Sequence, residues 1–170
     1  VYFPEMNKQG DALVQVVTSD PVGAWRDIMQ GLLMAITSSQ KYLYIQTPYF
    51  MPTESVRMAL TTAAVSGVDV RLMIPRKADS WLVSKASYSY IRDMLQAGVK
   101  VYFYEKGFLH SKLWVSDDML SSVGSTNIDF RSFEHNFEAN AFIYDEKTAM
   151  KMCEIFLADQ HECTQITLKQ

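Results

Sequence analysis

An α/β fold, a mixed β-sheet sandwiched by helices, is what this 170-residue sequence predicts. Three observations carry that expectation. Short β-rich runs such as YLYIQT (42–47), VDVRLMI (68–74) and VKVYFY (99–104) alternate with stretches of helical period. Gly67 and Gly98 stand where two of those helices should stop. A tight Asp117-Asp118 turn between two apolar runs brings some antiparallel pairing into a set otherwise joined through helices.

The elements follow in order. The opening VYFPEMNKQGD (1–11) has no period and reads as a linker or trimmed edge, and LVQVV (13–17) is the first strand. Pro21 should start a helix over 22–38, with Trp25, Ile28, Met29, Leu32, Leu33 and Ile36 at helical intervals. The strand at 42–47 stops at Pro48, and PYFMP forms a loop. Thr53 or Ser55 can cap a helix that runs to about Ser66. Strand 68–74 follows, then a helix from a Ser80 cap to about Ala97, and strand 99–104. Residues 109–116 and 119–124 read as adjacent strands across the Asp117-Asp118 turn, and 138–144 as a further strand. A last amphipathic helix is expected over 146–160, with Met150, Cys153, Phe156 and Leu157 turned inward. There is no internal repeat, so the whole chain, 1–170, reads as a single domain excised from something longer.

Composition narrows the classes. Hydrophobic residues make up 48% and charged residues 21%, which excludes a disordered chain. The net charge of −3 leaves no electrostatic footprint for nucleic acid, so none is expected as a partner. No apolar run reaches bilayer length and no signal peptide is recognisable; membrane anchors of a parent protein are expected outside this stretch. Cys153 and Cys163, if both on one helix, stand too far apart for a disulfide. The three histidines are scattered and no metal-ligand spacing occurs, so neither metal nor cofactor is expected.

One stretch gathers groups suited to a single chemistry. HSKLWVSDDMLSSVGSTN places His110, Lys112 and Asp117 in the order H-x-K-x-x-x-x-D, then Gly124, Ser125 and Asn127 as G-S-x-N. Residues two apart on an extended chain project to one face, so His110 and Lys112 should point together. A neutral imidazole attacks phosphorus, and a charged one protonates a leaving alkoxide. An ammonium, a hydroxyl and an amide steady the negative charge that builds on the non-bridging oxygens. Gly124 allows a close backbone approach to a ligand. Asp117 or Asp118 either orients a neighbour or shapes the turn. By residue usage the H-x-K-x4-D pattern alone should arise by chance in roughly one such chain per hundred, and G-S-x-N at a fixed offset makes it far rarer.

On these residues the chain resembles the phospholipase D superfamily, whose signature is this pair of motifs. Within it the sequence is most similar to the C-terminal half of bacterial cardiolipin synthases, through 42–55, 66–79 and 124–146. The resemblance implies a phospholipase D-like fold, one half of a two-domain enzyme. It implies that His110, Lys112 and Asp117 are catalytic, that Ser125 and Asn127 bind substrate phosphate, and that Glu138 orients the histidine. It further implies transfer of a phosphatidyl group between two phosphatidylglycerol molecules, giving cardiolipin and glycerol through a phosphohistidine. The partners implied are the phospholipid, a membrane surface, and either an N-terminal half carrying the other motif or a second copy of this chain. The parent would sit at the bacterial cell membrane with this domain on the cytoplasmic side.

The chemistry wants two histidines, one to attack and one to protonate, and this chain has one motif. Alone it should be catalytically incomplete. A phospholipase D-type phosphodiesterase, a small dimeric nuclease and a degenerate phosphate-binding domain are the competing readings. Some flanking residues admit two roles. Tyr49, Phe50 and Met51 suit lipid contact or a core plug, as do Trp81 and Leu82. Arg131 suits a second headgroup or a structural ion pair, and His135 reads as a solvated loop residue.

Overall fold

The computed structural model describes residues 7–8, 10–77 and 81–168, with the side chains of 81–86 excepted. Most of the predicted 1–11 linker, the Ser80 cap and the side chains of Trp81 and Leu82 therefore lie outside the described residues. Strand β1 is Leu13–Ser19, followed by α1 (Asp27–Ser38), β2 (Tyr42–Gln46), β3 (Phe50–Met51), α2 (Glu54–Val65) and β4 (Asp69–Pro75). Then come α3 (Trp81–Gln96), β5 (Lys100–Tyr104), β6 (Leu113–Ser116), β7 (Leu120–Gly124), β8 (Ile128–Asp129) and α4 (Phe130–Glu134). Strand β9 (Glu138–Tyr144), α5 (Glu146–Gln160) and β10 (Cys163–Ile166) close the chain.

Eight strands form one mixed sheet in the order β1-β9-β7-β6-β2-β4-β5-β10. The β2, β4 and β5 strands are parallel and linked through α2 and α3, while β6, β7 and β9 form an antiparallel run. The predicted mixed sheet is thus present, and the parallel and antiparallel parts meet where β2 pairs with β6. Leu43, Ile45, Val70, Leu72, Val101, Phe103, Trp114 and Phe142 pack one sheet face against Leu32, Ile36, Val56, Leu60, Ile91 and Met94. The other face carries Tyr44, Met73, Tyr102 and Val115 under Ala149 and Phe156 of α5. Period-2 alternation in the strands supplies both apolar faces, which is why helices must cover both.

Several boundaries differ from expectation, each for a local reason. Helix α1 starts at Asp27, because Asp20 Oδ1 accepts the N–H groups of Val22 (2.9 Å) and Gly23 (2.6 Å) and holds 20–23 in a turn. Ser19 Oγ then accepts the Ile28 N–H, so the cap comes from β1, and Trp25 is left exposed. Thr53 occupies the N-cap position of α2 without a capping bond; its hydroxyl meets Ser55 Oγ and Met29 Sδ instead. Gly67 and Gly98 end α2 and α3 at φ +97° and +95°, the left-handed conformation that favours glycine. On α5 the inward stripe is Ala149, Met152, Cys153 and Phe156; Met150 and Leu157 are exposed. Cys163 lies on β10, not on a helix, and both thiols are free. The pairing of β10 with β5 and the short parallel β3–β8 ladder have no sequence signal of their own, since each lasts only as long as its partner holds it.

Candidate active site

The strand registers bring one set of chain segments to one edge of the sheet. Gln46 pairs with Leu113, Leu113 with Val123, Gly124 with Asn140, and Glu138 with Ser19. The C-terminal ends of β1, β2 and β7 therefore lie beside the N-terminal ends of β6 and β9. His110 and Lys112 lead into β6, Ser125 and Asn127 follow β7, and Glu138 begins β9, so all five share this edge.

His110 and Lys112 were expected within a strand spanning 109–116, but β6 begins only at Leu113. Ahead of it the chain is held by side chains. Ser111 Oγ donates to Gln46 Oε1 (2.8 Å), and Gln46 Nε2 donates to Asp159 Oδ2 of α5 (2.8 Å). Gln46 is almost wholly buried, so this relay fixes the segment from beneath. Leu109 is buried, Ser111 is tied inward, and His110 is exposed. The His110 ring lies 5.5 Å from that of Phe108, which lies 6.3 Å from that of Tyr49. Phe50, next to Tyr49, is fully buried: it lies with Met51 in β3 rather than in the expected loop, and of the three apolar residues it is the core plug.

Lys112 Nζ donates to the His110 carbonyl (2.9 Å). Burial pushes its pKa down, and the carboxylates of Glu138 and Asp129 act in the opposite direction without restoring it. The amine just ahead of β6 thus feels a carboxylate from β8 and one from the start of β9.

Ser125 takes part in the β9 ladder twice over. Its N–H donates to the Ala139 carbonyl (3.0 Å), and its hydroxyl accepts from the Ala139 N–H (3.0 Å). The same hydroxyl donates to Glu138 Oε2, while Asn136 Nδ2 donates to Glu138 Oε1 (3.0 Å). Asn127 Nδ2 donates to Ser132 Oγ (3.3 Å), and its carbonyl oxygen is buried without a partner among the described residues. Asp129 caps α4 by accepting the Ser132 N–H (2.6 Å). Gly124 is crowded by Asn140 Oδ1 and the Ala139 carbonyl, so its backbone approaches β9 rather than open space.

Asp117 is not brought to this edge. It sits at the far end of β6, separated from Lys112 by roughly 15 Å of extended chain. Its carboxylate accepts the N–H groups of Gln40 (2.7 Å), Lys41 (2.9 Å) and Tyr42 (2.8 Å). Of the two roles the sequence left open for it, orienting a neighbour or shaping the turn, these bonds fit the second: Asp117 secures the β6–β7 turn to the start of β2. Asp117 and Asp118 both have positive φ, +52° and +60°. Arg131 is exposed and forms no ion pair among the described residues, and His135 is exposed beside the Phe130 ring. Sequence reasoning missed Gln46, Phe108 and Asn140. Gln46 and Asn140 did carry a signal, being polar residues inside apolar strand runs.

The family model described as "Cardiolipin synthase, PLD-like domain" matches residues 32–160. The major cardiolipin synthase ClsA of Bacillus subtilis is 46% identical over 158 residues, which are 93% of this chain and 33% of that protein. A cardiolipin synthase of Staphylococcus aureus is 45% identical over 166 residues, 98% of this chain and 34% of the relative. The chain thus spans about a third of the length of the curated relatives it matches. In fold it is similar to a phospholipase D family member, Nuc from Salmonella typhimurium (TM-score 0.79, 20% identity, 92% of this chain and 99% of that one). It is also similar to phosphatidylserine synthase of Haemophilus influenzae (TM-score 0.74, 16% identity, 90% of this chain and 40% of that one). With three-quarters of its length matched, the chain belongs to the family of phospholipase D-like domains of cardiolipin synthases.

Proposed function

We propose that this chain is one phospholipase D-like domain of a phosphatidyltransferase and supplies one of the two histidines the reaction needs. The observation that carries the reading is the convergence of His110, Lys112, Ser125, Asn127 and Glu138, from three separate segments, on one sheet edge. The intact enzyme joins two phosphatidylglycerol molecules. One imidazole attacks phosphorus and the bond to the glycerol oxygen breaks, the leaving alkoxide taking a proton from the other imidazole. The hydroxyl of a second phosphatidylglycerol then attacks the phosphohistidine, giving its proton to the second imidazole and releasing cardiolipin. His110 is exposed and so accessible to a partner domain. Lys112, Ser125 and Asn127 hold the non-bridging oxygens, and Glu138 orients the ring of a histidine in the completed site. Asp117 contributes through the turn it anchors. The other histidine comes from an N-terminal half or from a second copy, and the reaction takes place at the cytoplasmic face of the bacterial membrane.

Among the described residues no helix is long and apolar enough to cross a membrane. The net charge of −3 disfavours a nuclease. The deciding measurement is conversion of labelled phosphatidylglycerol by the full-length enzyme carrying His110→Ala. The expected loss is at least a hundredfold, from removal of an acid–base or nucleophilic group; turnover at the normal rate would discard the assignment.

A further inference from the structure

A groove of about 920 Å³ runs between α3 and the β5–β10 edge of the sheet, away from the groups described above. Its size falls within the usual range of ligand sites, roughly 300–1,000 Å³. The walls divide by chemistry. Arg76, Arg92, Gln96 and Thr164 supply polar groups, while Ile91, Leu95, Phe103, Ile166 and Leu168 supply an apolar floor. Among the described residues no carboxylate lines it. Arg76 lies over the Phe103 ring (5.5 Å to the centroid), and Tyr88 meets the same ring edge-on. Neither Arg76 nor Arg92 forms an ion pair among the described residues; the arginines that do are Arg57 and Arg71. Two guanidiniums facing an apolar trough suit a ligand that is anionic at one end and aliphatic along its length.

The direction of the groove adds to this. Arg76 follows the C-terminal end of β4, and β4 is parallel to its neighbour β2, so Arg76 lies at the same sheet edge as Lys112. A narrow crevice lined by Pro48, Pro75, Arg76 and Ser87 continues the groove toward the β2 end. Pro48 precedes Tyr49, the outer member of the ring series that ends at His110. From Tyr88 to Gln96, α3 offers roughly 12 Å of wall, enough for much of an acyl chain.

We infer that this groove binds an anionic phospholipid, with its phosphate on Arg76 and Arg92 and one acyl chain along Phe103, Leu95 and Ile166. The inference rests on the lipid chemistry proposed above and adds a holding site for that lipid beside the reacting edge. The test is a titration of the 170-residue chain with dihexanoylphosphatidylglycerol below its micellar concentration. Dihexanoylphosphatidylcholine and inorganic phosphate serve as parallel probes. Binding of the anionic lipid should weaken at least tenfold in the Arg76→Gln/Arg92→Gln pair and in Thr164→Glu, which places a carboxylate in the groove. His110→Ala should leave it unchanged. The zwitterionic lipid and free phosphate should bind at least tenfold more weakly than the anionic lipid. In the full-length enzyme the arginine pair should raise KM for phosphatidylglycerol with kcat within about twofold.

Other outcomes overturn the groove. Undiminished binding by the arginine pair, equal binding of free phosphate, or loss of binding on His110→Ala would each remove it. So would a self-association that Thr164→Glu abolishes, because the trough would then hold a second copy, and so would an unchanged KM in the full-length enzyme. The transferase reading fails separately, through normal turnover of His110→Ala.

Discussion

The Asp117 carboxylate holds the backbone N–H of Tyr42 at 2.8 Å, at the end of the sheet remote from His110. Next to it, Asp118 accepts the Tyr42 hydroxyl at 2.8 Å, and that hydroxyl accepts the Asp118 N–H at 3.1 Å. The β6–β7 turn is thus fastened to the start of β2, and the strand leading back to Lys112 is set from its far end.

Asp117→Ala should therefore act on stability first. Three charge-assisted bonds to backbone N–H groups are lost and the left-handed turn is weakened, which should cost about 2–4 kcal/mol. Urea unfolding of the chain measures it. A loss below about 0.5 kcal/mol would mean that the three bonds contribute nothing net.

Gly124→Ala should be costly although glycine there has no special backbone angle. A Cβ meets Asn140 Oδ1 and the Ala139 carbonyl, and the carbonyl cannot rotate away. Overpacking of this kind costs about 1–3 kcal/mol. It should also pull Ser125 off the β9 ladder, so faster amide exchange at Ser125 and Ala139 is the local readout.

Glu138→Gln should shift the Lys112 titration. The Glu138 carboxylate favours the charged amine against its burial, so removing that charge lowers the Lys112 pKa further. For a base whose folded pKa is depressed, the unfolded state binds more protons between the folded and unfolded values. Stability therefore falls as pH drops through that window, which lies below the ordinary lysine value, and Glu138→Gln widens it. NMR titration of the Lys112 side chain checks the direction; an upward shift would show that Glu138 does not act on the amine.

Cys163 should alkylate slowly. Burial pushes its pKa up to about 12 from 9.0, with Asp159, Glu105 and Glu162 adding to the shift, and its Sγ donates to the Asp159 carbonyl (3.3 Å). At pH 8 the thiolate fraction is then on the order of a thousandfold below that of an unperturbed thiol. Iodoacetamide labelling followed by peptide mapping measures the rate; modification at the rate of a free thiol would contradict it.

Sequence pattern by itself determined the layout: β2, β4 and β5 with their intervening helices, the β6–β7 hairpin, β9, α5, and the string in which the motif residues stand. Those features are local, written in alternation, glycine stops and spacing, and period-2 or period-3.6 repeats report which side of an element must be dry. Pairing that depends on a partner was not legible. β10 exists because β5 offers an unpaired edge, β3 and β8 exist only for each other, and α1 waits for a cap that Ser19 supplies from another strand. The site divides the same way. Its residue types stand in one string, yet only the sheet register separated Asp117 from the edge where His110, Lys112, Ser125 and Asn127 meet. An extended chain carries residues apart at roughly 3.3 Å each. Neighbours in a motif can therefore land at opposite ends of a strand, while Glu138, distant in sequence, arrives beside Ser125 because β9 pairs with β7.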